Sequence, residues 1–176
     1  AALQTNCLVT IGITPRTPET GYGYIQFNEE GVMYRGIEAF RVIRFHEKPT
    51  RDKAVEFIKQ GNFLWNSGMF VWKAGTILQE LKTYLPAIYE NLLPVLPHLG
   101  SSRQDQAISS AYDKIKSISI DYGVMEKTQK IIVLKGDFGW SDLGSWSALY
   151  DISTQDSRGN ALHGAIVAID SERIFA

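Results

Sequence analysis

Residues 7–14, CLVTIGIT, set Val9, Ile11 and Ile13 against Thr10, Gly12 and Thr14, which is the period of a strand. TPRTPETGYG follows, dense in Pro and Gly, and reads as a loop. YGYIQFNEEGVM reads as strand, turn, strand, and EAFRVIRFHEKP as a longer strand stopping at Pro49. Thr50 is placed to cap a helix over 51–60, with Asp52 in its first turn, Lys59 in its last and Gly61 to end it. Ala54, Val55, Phe57 and Ile58 form the buried stripe of that helix. NFLWNSGMFVW is apolar on both faces and predicts a strand covered on both sides, the habit of an α/β sheet. Ile77, Leu78, Leu81 and Leu85 have helical spacing up to Pro86, which can start a second helix. A loop over 94–103 and a helix over 104–115 follow, then a short helix near 120–127, a strand at 130–135 and a helix from about 144.

With 176 residues, 44% hydrophobic and 21% charged, the chain suits one ordinary domain with a real core. The polar run DISTQDSRGN suggests a boundary: a main domain over 1–152, and a linker with the start of a further β-region over 153–176. A net charge of −1 gives no electrostatic case for a nucleic-acid polymer as partner. No apolar run approaches a membrane span, so no membrane association is expected. The single cysteine, Cys7, excludes an internal disulfide, and the expected compartment is the reducing cytoplasm. There is no initiator methionine, and strand-like runs at both ends, CLVTIGIT and GAIVAIDSERIFA, read as cut.

Four places break the local pattern. In FHEKP, period 2 puts Ile43, Phe45 and Glu47 on one face, and a carboxylate finishing an apolar face needs a partner, solvent or a ligand. Glu47 can accept sugar hydroxyls and Lys48 can meet a phosphate; the competing reading is a surface ion pair beside a turn. In WNSGMF, Asn66 and Ser67 interrupt a buried strand and Gly68 suggests a bulge or a close backbone approach. Asn66 offers both donor and acceptor to a sugar diol, or is satisfied by neighbouring backbone. In ETGYGYI, glycines allow backbone N–H groups near a ligand, with Tyr22 and Tyr24 as walls of a pocket; the alternative is a turn entering a hairpin. In GDFGWSDLGSW, Asp142 either caps the following helix or binds Mg²⁺, which takes one or two carboxylates plus phosphate oxygens and waters. His46, His98 and His163 form no metal-ligand pattern, and neither a GxSxG motif nor a P-loop is present.

In order along the chain, TPETGYGYI, FHEKP, FLWNSGMFVWKA, SISIDYGVMEK and FGWSDLGSW resemble the mannose-1-phosphate guanylyltransferases over about residues 7–150. The resemblance implies an α/β fold of the Rossmann-like nucleotidyltransferase kind, a mixed sheet flanked by helices, here as the sugar-binding, C-terminal half of that domain. It implies that mannose 1-phosphate and GTP give GDP-mannose and pyrophosphate. It makes Asp142 the Mg²⁺ ligand and Lys48 a phosphate contact, both counted as catalytic. It makes Gly23 (through its backbone), Glu47, Lys48 and Asn66 substrate contacts, with Asp121 close by. The Gly-rich nucleotide loop and the second metal carboxylate of the family have no counterpart in residues 1–20. A missing N-terminal half is therefore the expected partner, and turnover by this chain alone is not expected. Half a parallel sheet would leave a free strand edge and uncovered apolar surface, so self-association is expected. Two other readings stay open: a non-catalytic sugar-phosphate-binding or assembly module, and another sugar-1-phosphate nucleotidyltransferase.

Overall fold

A computed structural model describes residues 1–176. The chain forms two compact units, Ala1–Asp137 and Phe138–Ala176. The first opens with a four-residue helix α1 (Ala2–Thr5), which the sequence pattern does not foreshadow. It contains five strands: β1 (Leu8–Ile13), β2 (Tyr24–Tyr34), β3 (Ile37–His46), β4 (Phe63–Val71) and β5 (Ile131–Gly136). Helix α2 (Arg51–Gln60) joins β3 to β4. Helices α3 (Ala74–Tyr84), α4 (Pro86–Leu92) and α5 (Gln104–Tyr112) follow, then a π-helical turn at Asp121–Met125. The expected loop at 94–103 begins instead with a 3₁₀ helix, Leu93–His98, anchored by buried Val95.

The sheet is mixed and flanked by helices, as the sequence suggests, but it has no free edge. Its strands close into a ring in the order β1-β4-β2-β3-β5, with β1 parallel to β5 and every other pairing antiparallel. The expectation of half a parallel sheet with an unpaired edge is therefore corrected. The β2–β3 hairpin causes the closure. Its base, Tyr24–Gln26, bonds to β4, while Ala39–Arg41 farther along bonds to β5. Two irregularities bend it between those contacts. From Gln26 to Phe27, β3 steps from Arg44 to Val42, so Ile43 is an extra residue; from Phe27 to Gly31, β2 itself carries the surplus. Exposed apolar surface does remain on the hairpin, at Val32, Met33 and Ile37.

The bulge at Ile43 also overturns the strict alternation read for β3. Val42 and Phe45 are both buried, and Ile43 is 58% exposed. On β1 both faces are covered. Leu8 joins the main core with Ile25, Phe27, Phe40, Leu64, Val124, Met125 and Val133, over which Ile77, Leu81 and Leu85 pack. Val9 belongs to a smaller cluster with Ala39 and Ile132, covered by Ala1, Ala2 and Cys7. Helix α2 begins and ends where its sequence signals place it: Thr50 holds the N-cap position, although its side chain makes no capping hydrogen bond, Ala54 and Phe57 are buried, and Gly61 ends it in the left-handed conformation at φ 77°. Phe57 stacks on Phe63 at 4.1 Å, which fixes α2 against β4. Glu80, buried on α3, accepts from the Thr128 hydroxyl at 2.7 Å and meets Lys130 Nζ at 3.4 Å, tying the helical layer to the approach to β5.

The second unit contains α6 (Trp146–Ile152), capped by Ser145, whose hydroxyl accepts from the Ala148 N–H at 3.1 Å. The strand-like GAIVAIDSERIFA forms only one isolated bridge, Ala161 with Phe175. Asn160 organises that segment by donating to Asp156 Oδ2 and to the Ser171 carbonyl, each at 3.0 Å.

At Gly12 a Cβ would lie 2.7 Å from Leu64 Cβ and 2.8 Å from Val133 Cγ2, inside the ring. Gly12→Ala is expected to lower unfolding free energy by about 1–3 kcal/mol through overpacking. Gly75, on α3, has no atom within 4 Å of its Cβ direction. There the same change is expected to stabilise by about 0.5–1 kcal/mol. Urea unfolding of both variants checks the opposite signs.

Candidate active site

The first unit gathers four of the residues singled out in the sequence at one end of the ring. Gly23 stands at the entry to β2, Glu47 just past the end of β3, Asn66 in β4, and Asp121 opens the π-helical turn. Backbone geometry sets this arrangement. The Asn66 N–H donates to the Gly23 carbonyl at 2.7 Å, extending the β2–β4 ladder by one rung. That carbonyl already accepts one bond from the sheet, and the N–H is the donor Gly23 can offer a ligand. A Cβ on Gly23 would come within 2.5 Å of Glu47 Oε2 and 3.4 Å of Asn66 Cβ. The glycine is thus what lets the carboxylate lie against the strand.

Asn66 sits in the bulge that Gly68 foretells. Between Thr10 and Gly12 of β1, the partner strand runs from Phe70 to Asn66, so β4 carries the surplus residues. Gly68 takes φ 71°, which a side chain would resist. The Ser67 hydroxyl donates to the Ile11 carbonyl at 2.5 Å and holds the bulge to β1. The Asn66 side chain is engaged at both ends: Nδ2 donates to Asp121 Oδ1 at 2.9 Å, and Oδ1 accepts from the Gly68 N–H at 3.1 Å.

Glu47 carries the clearest electrostatic signature. Burial holds its carboxyl above the ordinary glutamate value, the charges of Asp121 and Glu126 push the same way, and Lys48 opposes them. Lys48 is exposed and takes the left-handed conformation, φ 45°, directly before Pro49, a conformation rare for a non-glycine residue. Beside the pair lies a cavity of about 450 Å³ whose walls include Arg44, His46, Lys53 and Glu126. His46 packs its ring on Phe57 at 4.9 Å, and burial, with Arg44 and Lys53 nearby, lowers its pKa.

One sequence expectation about this region is corrected. Tyr24 is wholly buried, its hydroxyl donating to the Glu19 carbonyl at 2.9 Å, so it belongs to the core and not to a pocket wall. Tyr22 packs edge-on against Trp65, centroids 5.2 Å apart. The sequence pattern does not single out Tyr122 and Glu126, although both lie in the SIDYGVMEK run. Tyr122 is 47% exposed; desolvation and the charges of Glu47, Glu126 and Asp121 hold its phenol above the ordinary value.

Asp142 lies in the second unit, exposed, with Oδ1 accepting from the Gly144 N–H at 3.1 Å. The capping alternative is removed, because Ser145 caps α6. Asp137, its neighbour in the sequence, pairs with Arg16 at 3.0 Å in the first unit. No three His, Cys, Asp or Glu side chains gather anywhere as a metal cage. No helix is long and apolar enough to cross a membrane.

Residues 1–159 match the nucleotidyl transferase family model. The chain is 41% identical over 172 residues to a mannose-1-phosphate guanylyltransferase of Escherichia coli (strain K12), covering 96% of this chain and 35% of that protein. It is 45% identical over 169 residues to one from Salmonella muenchen, covering 94% and 34%. It is 42% identical over 179 residues to the xanthan biosynthesis protein XanB of Xanthomonas campestris, covering 100% and 37%. The chain thus spans about a third of the length of the curated relatives it matches. Among solved structures, one described as a mannose-1-phosphate geranyltransferase from Thermus thermophilus superposes with a TM-score of 0.73 at 35% identity, covering 90% of this chain and 43% of that one. With a mixed sheet flanked by helices and a family match over nearly its whole length, the chain belongs to the nucleotidyl transferase family.

Proposed function

We propose that this chain supplies the sugar-phosphate side of a guanylyl transfer: mannose 1-phosphate attacks GTP, giving GDP-mannose and pyrophosphate. The observation that carries the reading is the convergence of Gly23, Glu47, Asn66 and Asp121 at one end of the ring, with Lys48 beside them. Several relatives at about 40% identity over most of this chain are named for that activity. The Glu47 carboxylate accepts from sugar hydroxyls, the Asn66 amide and the Gly23 N–H flank it, and the Lys48 ammonium meets the phosphate. A phosphate oxygen of the sugar forms the new bond to the α-phosphorus of GTP. The bond from that phosphorus to the bridging oxygen breaks, and pyrophosphate departs with the electron pair. Positioning and charge stabilisation are the protein's contribution, since no covalent step falls to a side chain. Asp142 would hold Mg²⁺, which neutralises phosphate charge when bound.

The rest of the nucleotide site is assigned to protein outside these residues, because residues 1–20 contain no Gly-rich loop with Arg and Lys. The same observation favours the second reading, a module that binds a sugar phosphate without transferring to it. Calorimetry separates the two: the module binds mannose 1-phosphate with no response to GTP and Mg²⁺.

The direct test is pyrophosphate release by the full-length protein with mannose 1-phosphate, GTP and Mg²⁺, against a panel of other sugar 1-phosphates and nucleotides. Lys48→Ala is expected to lower kcat/KM about 10²–10³-fold, the range for losing one charge-stabilising donor. Asp142→Asn is expected to remove most of the rate. No pyrophosphate from the unaltered protein overturns the transfer, and preference for another sugar 1-phosphate overturns the substrate.

Glu47 gives a pH prediction. Its folded-state pKa is raised, so the ionised form is disfavoured by folding. Stability is then lost as pH rises through that value, and Glu47→Gln should melt higher than the unaltered protein at pH 7. The advantage should vanish below the ordinary glutamate pKa. Sugar binding needs the ionised form, so the acid limb of kcat/KM for mannose 1-phosphate should lie above the ordinary carboxylate range. Melting scans and rate profiles over pH check both.

A further inference from the structure

Asn66 is the one side chain in this group whose usefulness depends on a direction. A primary amide is nearly symmetric in shape, and turning it by 180° exchanges a donor for an acceptor. Two fixed groups decide the matter. The Gly68 N–H donates to Oδ1 at 3.1 Å, and Asp121 Oδ1 accepts from Nδ2 at 2.9 Å. Reversed, the amide would set oxygen against carboxylate oxygen and N–H against N–H. Both partners are rigidly held. Gly68 is locked in the bulge at φ 71°. The turn bearing Asp121 is seated by buried Val124 and Met125, and by Gly123, whose Cβ direction meets Leu85 Cδ1 at 2.7 Å. The Asp121 carbonyl is also engaged, accepting from the Glu126 N–H at 2.9 Å.

We infer that Asp121 is a positioning residue, acting through Asn66 and not on the sugar: it fixes the amide so that the remaining N–H and the remaining oxygen lone pair of Asn66 address the sugar hydroxyls. An amide has two donors and two acceptor sites, and one of each is consumed by Asp121 and Gly68, leaving one of each. A vicinal diol needs that combination, because one hydroxyl can donate while its neighbour accepts. The bond joins residues 55 positions apart and ties the π-helical turn to the β4 bulge. This assignment rests on the sugar-phosphate reading given above.

The test uses the full-length protein with Asp121→Ala, Asp121→Asn, Asn66→Ala and the double variant Asp121→Ala/Asn66→Ala. Two readouts are taken: calorimetric affinity for mannose 1-phosphate, and exchange of the Asn66 side-chain amide protons by NMR without any sugar. Asp121→Ala is expected to weaken mannose 1-phosphate about tenfold, the effect of one charge-assisted hydrogen bond, and to speed amide exchange. The KM for GTP should stay unchanged. Asp121→Asn keeps an acceptor for Nδ2 and should restore affinity to within about threefold. The double variant should bind no more weakly than Asn66→Ala alone, since Asp121 has nothing left to orient; independent contacts would instead multiply to about a hundredfold. Multiplying effects, failure of Asp121→Asn to restore binding, or amide exchange untouched by Asp121→Ala would each overturn the inference. If the unaltered protein binds no mannose 1-phosphate while Asp121→Ala still frees the amide, the proposed function fails and the orientation of Asn66 by Asp121 stands.

Discussion

Strand β1 is hydrogen-bonded along both edges, to β5 in parallel through six successive residue pairs and to β4 in antiparallel. The tight packing of this central position depends on Gly12 carrying no side chain, with Leu64 and Val133 filling the space where a Cβ would sit. Once β4 and β5 are placed on either side of β1, the β2–β3 hairpin has two attachment lines that a flat ribbon cannot reach together. It reaches them by bending at Ile43 and over the residues between Phe27 and Gly31. The bend closes the ring, and closure brings the start of β2 against β4, which is where Gly23 and Asn66 meet.

The site is therefore a by-product of ring closure at one end. Each of its residues stands where regular pairing stops: Gly23 before β2, Glu47 after β3, Asn66 in the β4 bulge, Asp121 at a turn with an extra residue in its helical register. Irregular backbone at these points leaves side chains pointing away from the ladder while the ladder itself keeps them still. Rigid strands with an irregular rim hold polar groups in place more tightly than a loop could.

Local chemistry explains which parts are legible in the sequence. Helix α2 is readable because Asp52, Lys59 and Gly61 act within a turn or two of where they stand, and Gly68 announces its own bulge. Ile43 is misplaced by simple alternation because its bulge is imposed by the partner strand, which no period along β3 can reveal. Tyr24 is misplaced because the carbonyl that satisfies its hydroxyl, on Glu19, sits in a loop with no pattern to predict its path. The sequence reading puts a possible cap at Asp142, and the structure gives the cap to Ser145, three residues on, which only geometry reveals. The resemblance names Gly23, Glu47, Asn66 and Asp121 together, but these residues span up to 98 positions, from Gly23 to Asp121, and spacing carries no trace of how they meet.

The electrostatics of the site follow from the same geometry. Asp121 is there to hold an amide, yet its charge acts on Glu47 as well, because both carboxylates flank one bulge. A neutral group at 121 would relieve Glu47 but would lose the charged acceptor that fixes Asn66. Lys48, in its left-handed conformation, offsets part of the repulsion without cancelling it. The result is a cluster of carboxylates around Glu47, with Arg44, Lys48 and Lys53 on the walls of the adjoining cavity. On the proposed function, a sugar hydroxyl that donates to Glu47 favours its ionised form against the neighbouring carboxylates. On the same reading, a sugar phosphate would turn its hydroxyls toward Glu47 and its phosphate toward the Lys48 ammonium, the one cation adjoining that carboxylate in the sequence.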